Sequence, residues 1–198
     1  MPKIVDHDDR RRQIAELAIR VVCRDGREGA TVRRIAREGG VSPGSLRHYF
    51  TNQDELIAFA FQWMADETFR ELDRRTANAP AGLARLRVAL EYMLPDPRVM
   101  GFMPVWLGLW SSALGNEQLL DIHRRYYGRW RGTIRRHLSD ATRTGELTLV
   151  VTLADAVDIL AAAVDGLWIG GTFEPRRAGT RRRRQLVERL LALLTHPQ

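Results

Sequence analysis

The chain predicts an all-α protein, with an N-terminal three-helix helix-turn-helix domain followed by a larger helical domain. Three observations carry that prediction. Apolar residues recur at three- and four-residue spacing through most of the 198 residues. No run alternates polar and apolar residues as a half-buried strand requires. Glycine pairs and prolines mostly fall between the periodic runs, where helices should stop.

Taken in order, the first run carries Ile14, Leu17, Ala18, Val21 and Val22 on one side. A shorter second run sets Val32, Ile35 and Ala36 on one face and Arg33, Arg34 and Arg37 off it, behind Thr31 at the N-cap position. Gly39-Gly40 supplies the left-handed conformation that ends helices, and Val41 anchors the turn. Ser42 and Pro43 restart the chain as N-cap and first helical residue. The run to Phe50 is short, with Leu46 and either Tyr49 or Phe50 facing inward. Asn52 caps a fourth helix with Glu55 at capping-box spacing, and that helix extends past Trp63 and Met64 towards Arg74. Ala77-Asn78-Ala79-Pro80 interrupts the pattern. Leu83, Leu86, Leu90 and Leu94 define a fifth helix, stopped by Pro95 and Pro97. Val99 to Leu114 is almost uniformly apolar, and Glu117 to Arg143 is an arginine-rich amphipathic helix closed by Gly145. Thr152 opens a long apolar helix through Trp168 that Gly170-Gly171 should end. Gln185 to Leu194 forms the last helix, and Arg176 to Arg184 reads as a basic linker before it. No internal repeat is present.

A short helix, a tight turn and a second short helix make a rod that fits a major groove. On that second helix Ser45, Arg47 and His48 are the candidates for base edges. Ser42 stands at its start, and Pro43 and Gly44 come near the groove floor. Thr31, Arg33, Tyr49 and Gln53 are better sited for backbone phosphates. Arginine donates twice to guanine, and histidine reaches either bases or phosphates. The plainer alternative is that all of these are solvated residues of a small helical domain. Arg10 to Arg12 read equally as an arm reaching DNA or as a solvated helix start.

Ile14, Leu17-Ala18, Val22 and Gly26, the run from Thr31 to Phe50, and Thr51-Asn52-Gln53-Asp54-Glu55-Leu56 together resemble the N-terminal domain of TetR-type transcriptional repressors. The resemblance implies a DNA reader over residues 1–50. It implies that residues 51–198 bind an effector and pair two copies through the last two long helices. The implied partners are double-stranded operator DNA, a small-molecule effector and a second copy of the chain. Two departures stand out: Arg47, where the family often has tyrosine, and Gln53, where it usually has lysine. Both positions commonly face DNA in the family, so operator sequence does not follow from the resemblance. Further on, Trp106-x-x-x-Trp110, Leu119-Leu120-x-x-His123-Arg124, Trp130-Arg131 and Asp165-Gly-Leu-Trp168 resemble the C-terminal domain of the BetI-like branch. That branch includes a choline-responsive regulator, but its members answer different ligands, so choline is one candidate among several.

The candidate effector-site residues are Phe102, Trp106 and Trp110, spaced by four, with Tyr126, Tyr127, Trp130, Asp165 and Trp168. An aromatic stripe at helical spacing is equally the mark of plain core. Asp165 sits within the apolar run Ala161 to Ile169, where an unpaired carboxylate is costly. An arginine across a subunit interface would satisfy it, and so would a cationic ligand; aromatic faces beside a carboxylate suit a quaternary amine.

Composition bounds the alternatives. At 44% hydrophobic and 28% charged the chain reads as soluble and globular, and its net charge of +7 favours a polyanionic partner. Leu149 to Ile169 is broken by Asp155, Asp158 and Asp165, so a membrane span is not expected. No apolar leader follows Asp6, Asp8, Asp9 and Arg10, and the single cysteine, Cys23, excludes an internal disulfide; a cytoplasmic location is expected. His7, His48, His123, His137 and His196 are scattered without zinc spacing, so neither metal nor cofactor is expected. Ser111-Ser112 and distant His123 lack the context of a nucleophile, and no enzyme is expected. A constitutive DNA binder without ligand control is the leading alternative. A helical enzyme and a membrane-surface protein stand behind it.

Overall fold

The computed structural model describes residues 7–94, 103–174, 176 and 179–195. Among these residues it forms nine helices: α1 (His7–Gly29), α2 (Val32–Glu38), α3 (Pro43–Arg47), α4 (Gln53–Ala77), α5 (Leu83–Met93), α6 (Met103–Ala113), α7 (Glu117–Arg143), α8 (Leu153–Phe173) and α9 (Thr180–Leu194). The β structure among them is an isolated antiparallel bridge between Leu149 and Thr195. The all-α expectation is borne out. No helix among the described residues is long and apolar enough to cross a membrane.

The chain divides into two compact units. The first is Met1–Glu67 with Gly101–Arg124; the second is Thr68–Met100 with Arg125–Gln198. In the first, α1 packs against α2 and α6, and α2 against α3. Its core takes Ile14, Ala18 and Val22 from α1, Ile35 and Ala36 from α2, Leu46 and Phe50 at α3, Leu56, Ile57 and Phe61 from α4, and Val105 and Leu109 from α6. These are the apolar positions of the helical repeat, so sequence period translates directly into burial. The end of α2 closes as a Schellman motif: Val41 N–H donates to Ala36 O at 3.0 Å and Gly40 N–H to Arg37 O at 3.2 Å. That geometry needs a left-handed residue, and Gly40, at φ 62°, provides it.

In the second unit α5 packs against α9, with Leu86 and Leu90 in the same core as Val187, Leu191 and Leu194. Arg87 donates to Glu188 at 2.7 Å along the surface of that pair. α5 begins at Gly82 with no cap from its own segment. Glu146, from the turn after α7, accepts the Leu83 N–H at 2.9 Å instead.

Two helix boundaries differ from the sequence expectation. α8 does not stop at Gly170-Gly171 but continues to Phe173, with Glu174 N–H donating to Gly170 O at 2.9 Å. Glycine in a helix interior costs only about 1 kcal/mol relative to alanine. Gly171 is buried on the last turn of the helix. α9 begins at Thr180, which takes Arg181 to Arg184 out of the supposed linker and into the helix. Arginine is a good helix former. Arg184 pairs with Glu91 at 3.3 Å and Arg183 donates to the Glu91 carbonyl at 3.3 Å, so the charge run is a solvated helix face docked on α5.

Candidate nucleic-acid interface and effector-site residues

Each helix of the turn motif starts from a side-chain cap. Thr31 Oγ1 accepts the Arg34 N–H at 3.2 Å, and Ser42 Oγ accepts the Ser45 N–H at 3.1 Å. The Ser42 and Ser45 hydroxyls lie 3.0 Å apart and share a hydrogen bond. A hydroxyl that accepts as a cap still has its own proton to donate, so Thr31 is chemically able to meet a phosphate oxygen while holding α2. At α4, Asn52 Oδ1 accepts the Glu55 N–H at 2.8 Å, whereas the Glu55 carboxylate accepts from Thr51 N–H at 2.7 Å, one residue before the cap. The box is present with its return arm displaced.

α3 sorts its side chains sharply. Leu46 is 2% exposed and Phe50 3%, while Ser42, Pro43, Gly44, Ser45, Arg47 and His48 are all exposed. Phe50, then, is the inward aromatic. Tyr49 is half-buried, its ring 4.9 Å from that of His7 at the start of α1. Gln53 is part-buried, and its amide donates to the Arg27 carbonyl at 3.4 Å, so that side chain ties α4 to the end of α1.

The arginines of the first unit divide by whether their charge is already used. Arg24 donates to Asp25 at 2.9 Å and pairs with Glu38 at 3.1 Å, and Arg34 donates to Asp25 at 2.9 Å. The Asp25 carboxyl is held below the usual carboxylate range by Arg24 first and Arg34 next; Arg24 does the same to Glu38. Arg27 pairs with Asp54 at 2.8 Å. Arg11 lies over the Phe50 ring at 4.6 Å and the Phe59 ring at 4.5 Å, with Glu55 at 3.7 Å, so it braces the residue beneath α3. Arg12 pairs with Asp9 at 3.0 Å and Arg10 donates to Gln13 at 2.9 Å, both local contacts along α1. Arg33, Arg37 and Arg47 are exposed and have no ion pair among the described residues. Arg37 is the residue that the sequence reading does not single out for DNA. Its signal was its place one turn beyond Arg33 on the same outward face of α2.

In the second unit the Tyr127 hydroxyl on α7 donates to Asp165 Oδ2 on α8 at 2.8 Å. Burial, and then that hydrogen bond, push the Tyr127 phenol up to about 12. Arg131, one turn along α7, pairs with Asp158 on α8. The partner expected for Asp165 from another subunit or a ligand is thus met within the chain by a phenol. Tyr126 is buried and stacks on Phe69, ring centroids 5.9 Å apart and 20° between planes. Trp130 is 3% exposed, and its indole N–H finds no acceptor among the described residues. Both rings serve as core here. The Trp168 indole N–H donates to the Met93 carbonyl at the end of α5. Trp106 and Trp110, half-buried on α6, belong to the first unit, where Trp110 meets His123 edge-on at 6.5 Å. Phe102 lies outside the described residues. No group of histidine, cysteine and carboxylate side chains among the described residues could hold a metal ion.

Comparison with known proteins adds to this geometry. Residues 14–59 match the model for bacterial regulatory proteins of the tetR family, and residues 82–196 match that for the C-terminal region of BetI-type transcriptional repressors. The HTH-type transcriptional regulator PksA of Bacillus subtilis (strain 168) is 33% identical over 192 residues, covering 94% of this chain and 90% of that one. The HTH-type transcriptional regulator BetI of Burkholderia mallei (strain NCTC 10229) is 27% identical over 198 residues, covering 97% and 98%. A putative transcriptional regulator from Saccharomonospora viridis, solved in complex with choline, superposes with a TM-score of 0.87 at 22% identity, covering 96% of this chain and all (100%) of that one. At that identity the likeness is one of fold.

Proposed function

The chain belongs to the TetR family of bacterial regulators and carries a BetI-type C-terminal region, and from that premise we propose that it is a homodimeric repressor released from a pseudo-palindromic operator by a small-molecule effector. That it is a DNA-binding transcriptional regulator follows from the family itself. The single observation that supports the docking mode is the division of α3, with Leu46 and Phe50 inside and Ser45, Arg47 and His48 outside. Arg47 and His48 meet base edges, with Ser45 beside them and Ser42, Pro43 and Gly44 at the groove. Thr31, Arg33 and Tyr49 meet phosphates. Gln53 takes part through the backbone N–H groups at the start of α4, where a helix N-terminus favours phosphate.

In this reading residues 1–50 read DNA, and residues 51–198 bind the effector and dimerise. The exposed face of α8 supports pairing: Ile159, Ala162, Gly166, Ile169, Gly170 and Phe173 recur at helical spacing with no polar side chain among them. Phe173 and, on α9, Leu193 are each 75% exposed, which a second copy would cover. Two readers related by a two-fold then engage half-sites about one helical turn, roughly 34 Å, apart. The effector is proposed to meet residues among Phe102, Trp106, Trp110, Tyr126, Tyr127, Trp130, Asp165 and Trp168. Choline is one candidate, given the ligand of the Saccharomonospora viridis protein. An effector that favours the non-binding state must itself be bound more weakly in the presence of operator, by the same factor.

The reader is tested by selecting bound duplexes from random sequence, then measuring Arg47→Ala and His48→Ala against the selected site. Specific affinity should fall by tenfold or more, about 1–3 kcal/mol per lost base contact, with the dimer intact. Unchanged affinity would sink the assignment. A dimeric DNA binder without ligand control is the second reading, favoured by Tyr126 and Trp130 serving as core. A metabolite screen for operator release at fixed salt separates the two.

A further inference from the structure

We propose that Asp25 and Glu38 set the strength of the reader's grip on DNA by withholding Arg24 and Arg34 from phosphate. The inference rests on the DNA-reading role proposed above. Arg24 is held on both sides: its Nε and Nη2 donate to the two Asp25 oxygens at 2.9 and 3.2 Å, and its Nη1 and Nη2 donate to the two Glu38 oxygens at 3.3 and 3.1 Å. Arg34 gives its Nε to Asp25 at 2.9 Å. These are fork-like, charge-assisted contacts, the geometry in which a guanidinium is least available to a second anion.

Position makes this a matter of recognition. The Arg34 backbone N–H is bonded to the Thr31 hydroxyl, so Arg34 stands on the same first turn of α2 as the proposed phosphate contact. The two residues are separated by about 4.5 Å of helix rise, well inside a Debye length of about 8 Å at physiological salt. A free guanidinium there would add a phosphate contact on any duplex. Such contacts carry no sequence information, so each one raises non-specific binding and leaves base readout by Arg47 and His48 unchanged. Of the six arginines from Arg24 to Arg47, Arg24 and Arg34 are clamped on Asp25 and Glu38 and Arg27 is paired with Asp54, which leaves Arg33, Arg37 and Arg47 for DNA. Affinity for operator and for other sequence is lowered alike, which keeps the grip on DNA weak enough to be reversed.

The test uses the full chain and measures affinity for a selected operator and for a random duplex between 50 and 200 mM salt. Asp25→Asn should steepen the log affinity against log salt slope by about 0.9, the release of one more counterion; Asp25→Asn/Glu38→Gln should steepen it by about 1.8. Per freed arginine, the ratio of affinities at 50 and 200 mM grows about 3.5-fold, on operator and random duplex alike, so the operator-to-random ratio holds. Glu16→Gln removes the same charge from an exposed position of α1 and should leave the slope where it was. Arg34→Gln alone should also leave the slope unchanged, whereas Arg33→Gln should flatten it by about 0.9, a comparison that stands even where Asp25→Asn impairs folding. The proposal is overturned by a wild-type slope in Asp25→Asn, by equal effects of Asp25→Asn and Glu16→Gln, or by an Arg34→Gln effect as large as that of Arg33→Gln. Failure of the underlying reader assignment looks different: the wild-type chain would then prefer no duplex over another.

Discussion

Replacing Gly82 by alanine should destabilise the second unit, and the route can be worked out atom by atom. Gly82 sits at φ 80°, ψ −132°, a region that residues with a side chain rarely enter, at a cost of about 1–3 kcal/mol. A Cβ there would lie 2.4 Å from Glu146 Oε1 and 3.0 Å from its Cδ. The carboxylate ends a flexible side chain and swings away, so the overlap itself is cheap. What is lost is its position, since the same group accepts the Leu83 N–H at 2.9 Å and the Thr144 hydroxyl at 2.8 Å. Losing a hydrogen bond to a charged acceptor costs about 1.5–3 kcal/mol. Gly82→Ala should therefore cost about 2.5–6 kcal/mol in all, and Glu146→Ala alone about 1.5–3. Because both variants break the same cap, the double variant should cost little more than Gly82→Ala, falling short of additivity by about 1.5–3 kcal/mol. Urea unfolding followed by tryptophan fluorescence, at fixed chain concentration, reads all four corners of the cycle. Additive costs, or a Gly82→Ala variant within about 0.5 kcal/mol of wild type, would refute the shared-cap account.

Two further outcomes are expected. His137 is buried on α7, and burial first, then Arg136 and Arg85, hold its imidazole below the ordinary histidine range. The unfolded chain then binds more protons than the folded one once pH drops below about 6.5, so stability should fall with pH there, by at most about 1.4 kcal/mol per unit, and be unaffected by this group above it. His137→Gln should flatten the dependence of the urea midpoint between pH 5 and 7; an unaltered profile would show that other groups dominate. Ile169→Asp on the exposed face of α8 should yield a helical monomer by sedimentation, and a persistent dimer would move the pairing surface elsewhere.

Much of the reader was legible in sequence because its determinants are local. Thr31 with Arg34, Ser42 with Ser45 and Asn52 with Glu55 all act over three residues, a distance at which spacing alone specifies contact. Legibility fades where the partner is remote. Leu83 and its cap Glu146 are 63 positions apart, Tyr127 and Asp165 are 38 apart, and no periodicity links either pair. The continuation of α8 through Gly170-Gly171 is hidden for a related reason, since the burial of Gly171 comes from tertiary packing. Arg181 to Arg184 misled differently: charge marks a solvated surface and says little about backbone conformation. At the surface proposed to face DNA, residue type points to arginine in general. Only the ion-pair geometry separated Arg33, Arg37 and Arg47 from Arg24 and Arg34.

α3 spans five residues, too few to be stable as an isolated helix. It stands because Ser42 and Pro43 start it and Leu46 and Phe50 anchor it from below. The Ser45 hydroxyl shares a hydrogen bond with the Ser42 cap, whereas the exposed Arg47 and His48 side chains have no hydrogen bond or ion pair among the described residues. The two proposed base-reading residues, Arg47 and His48, are thus mechanically idle, and mutation can rewrite them one at a time without first having to rescue the fold. A lineage carrying this scaffold can move to new operators through substitutions that folding does not oppose.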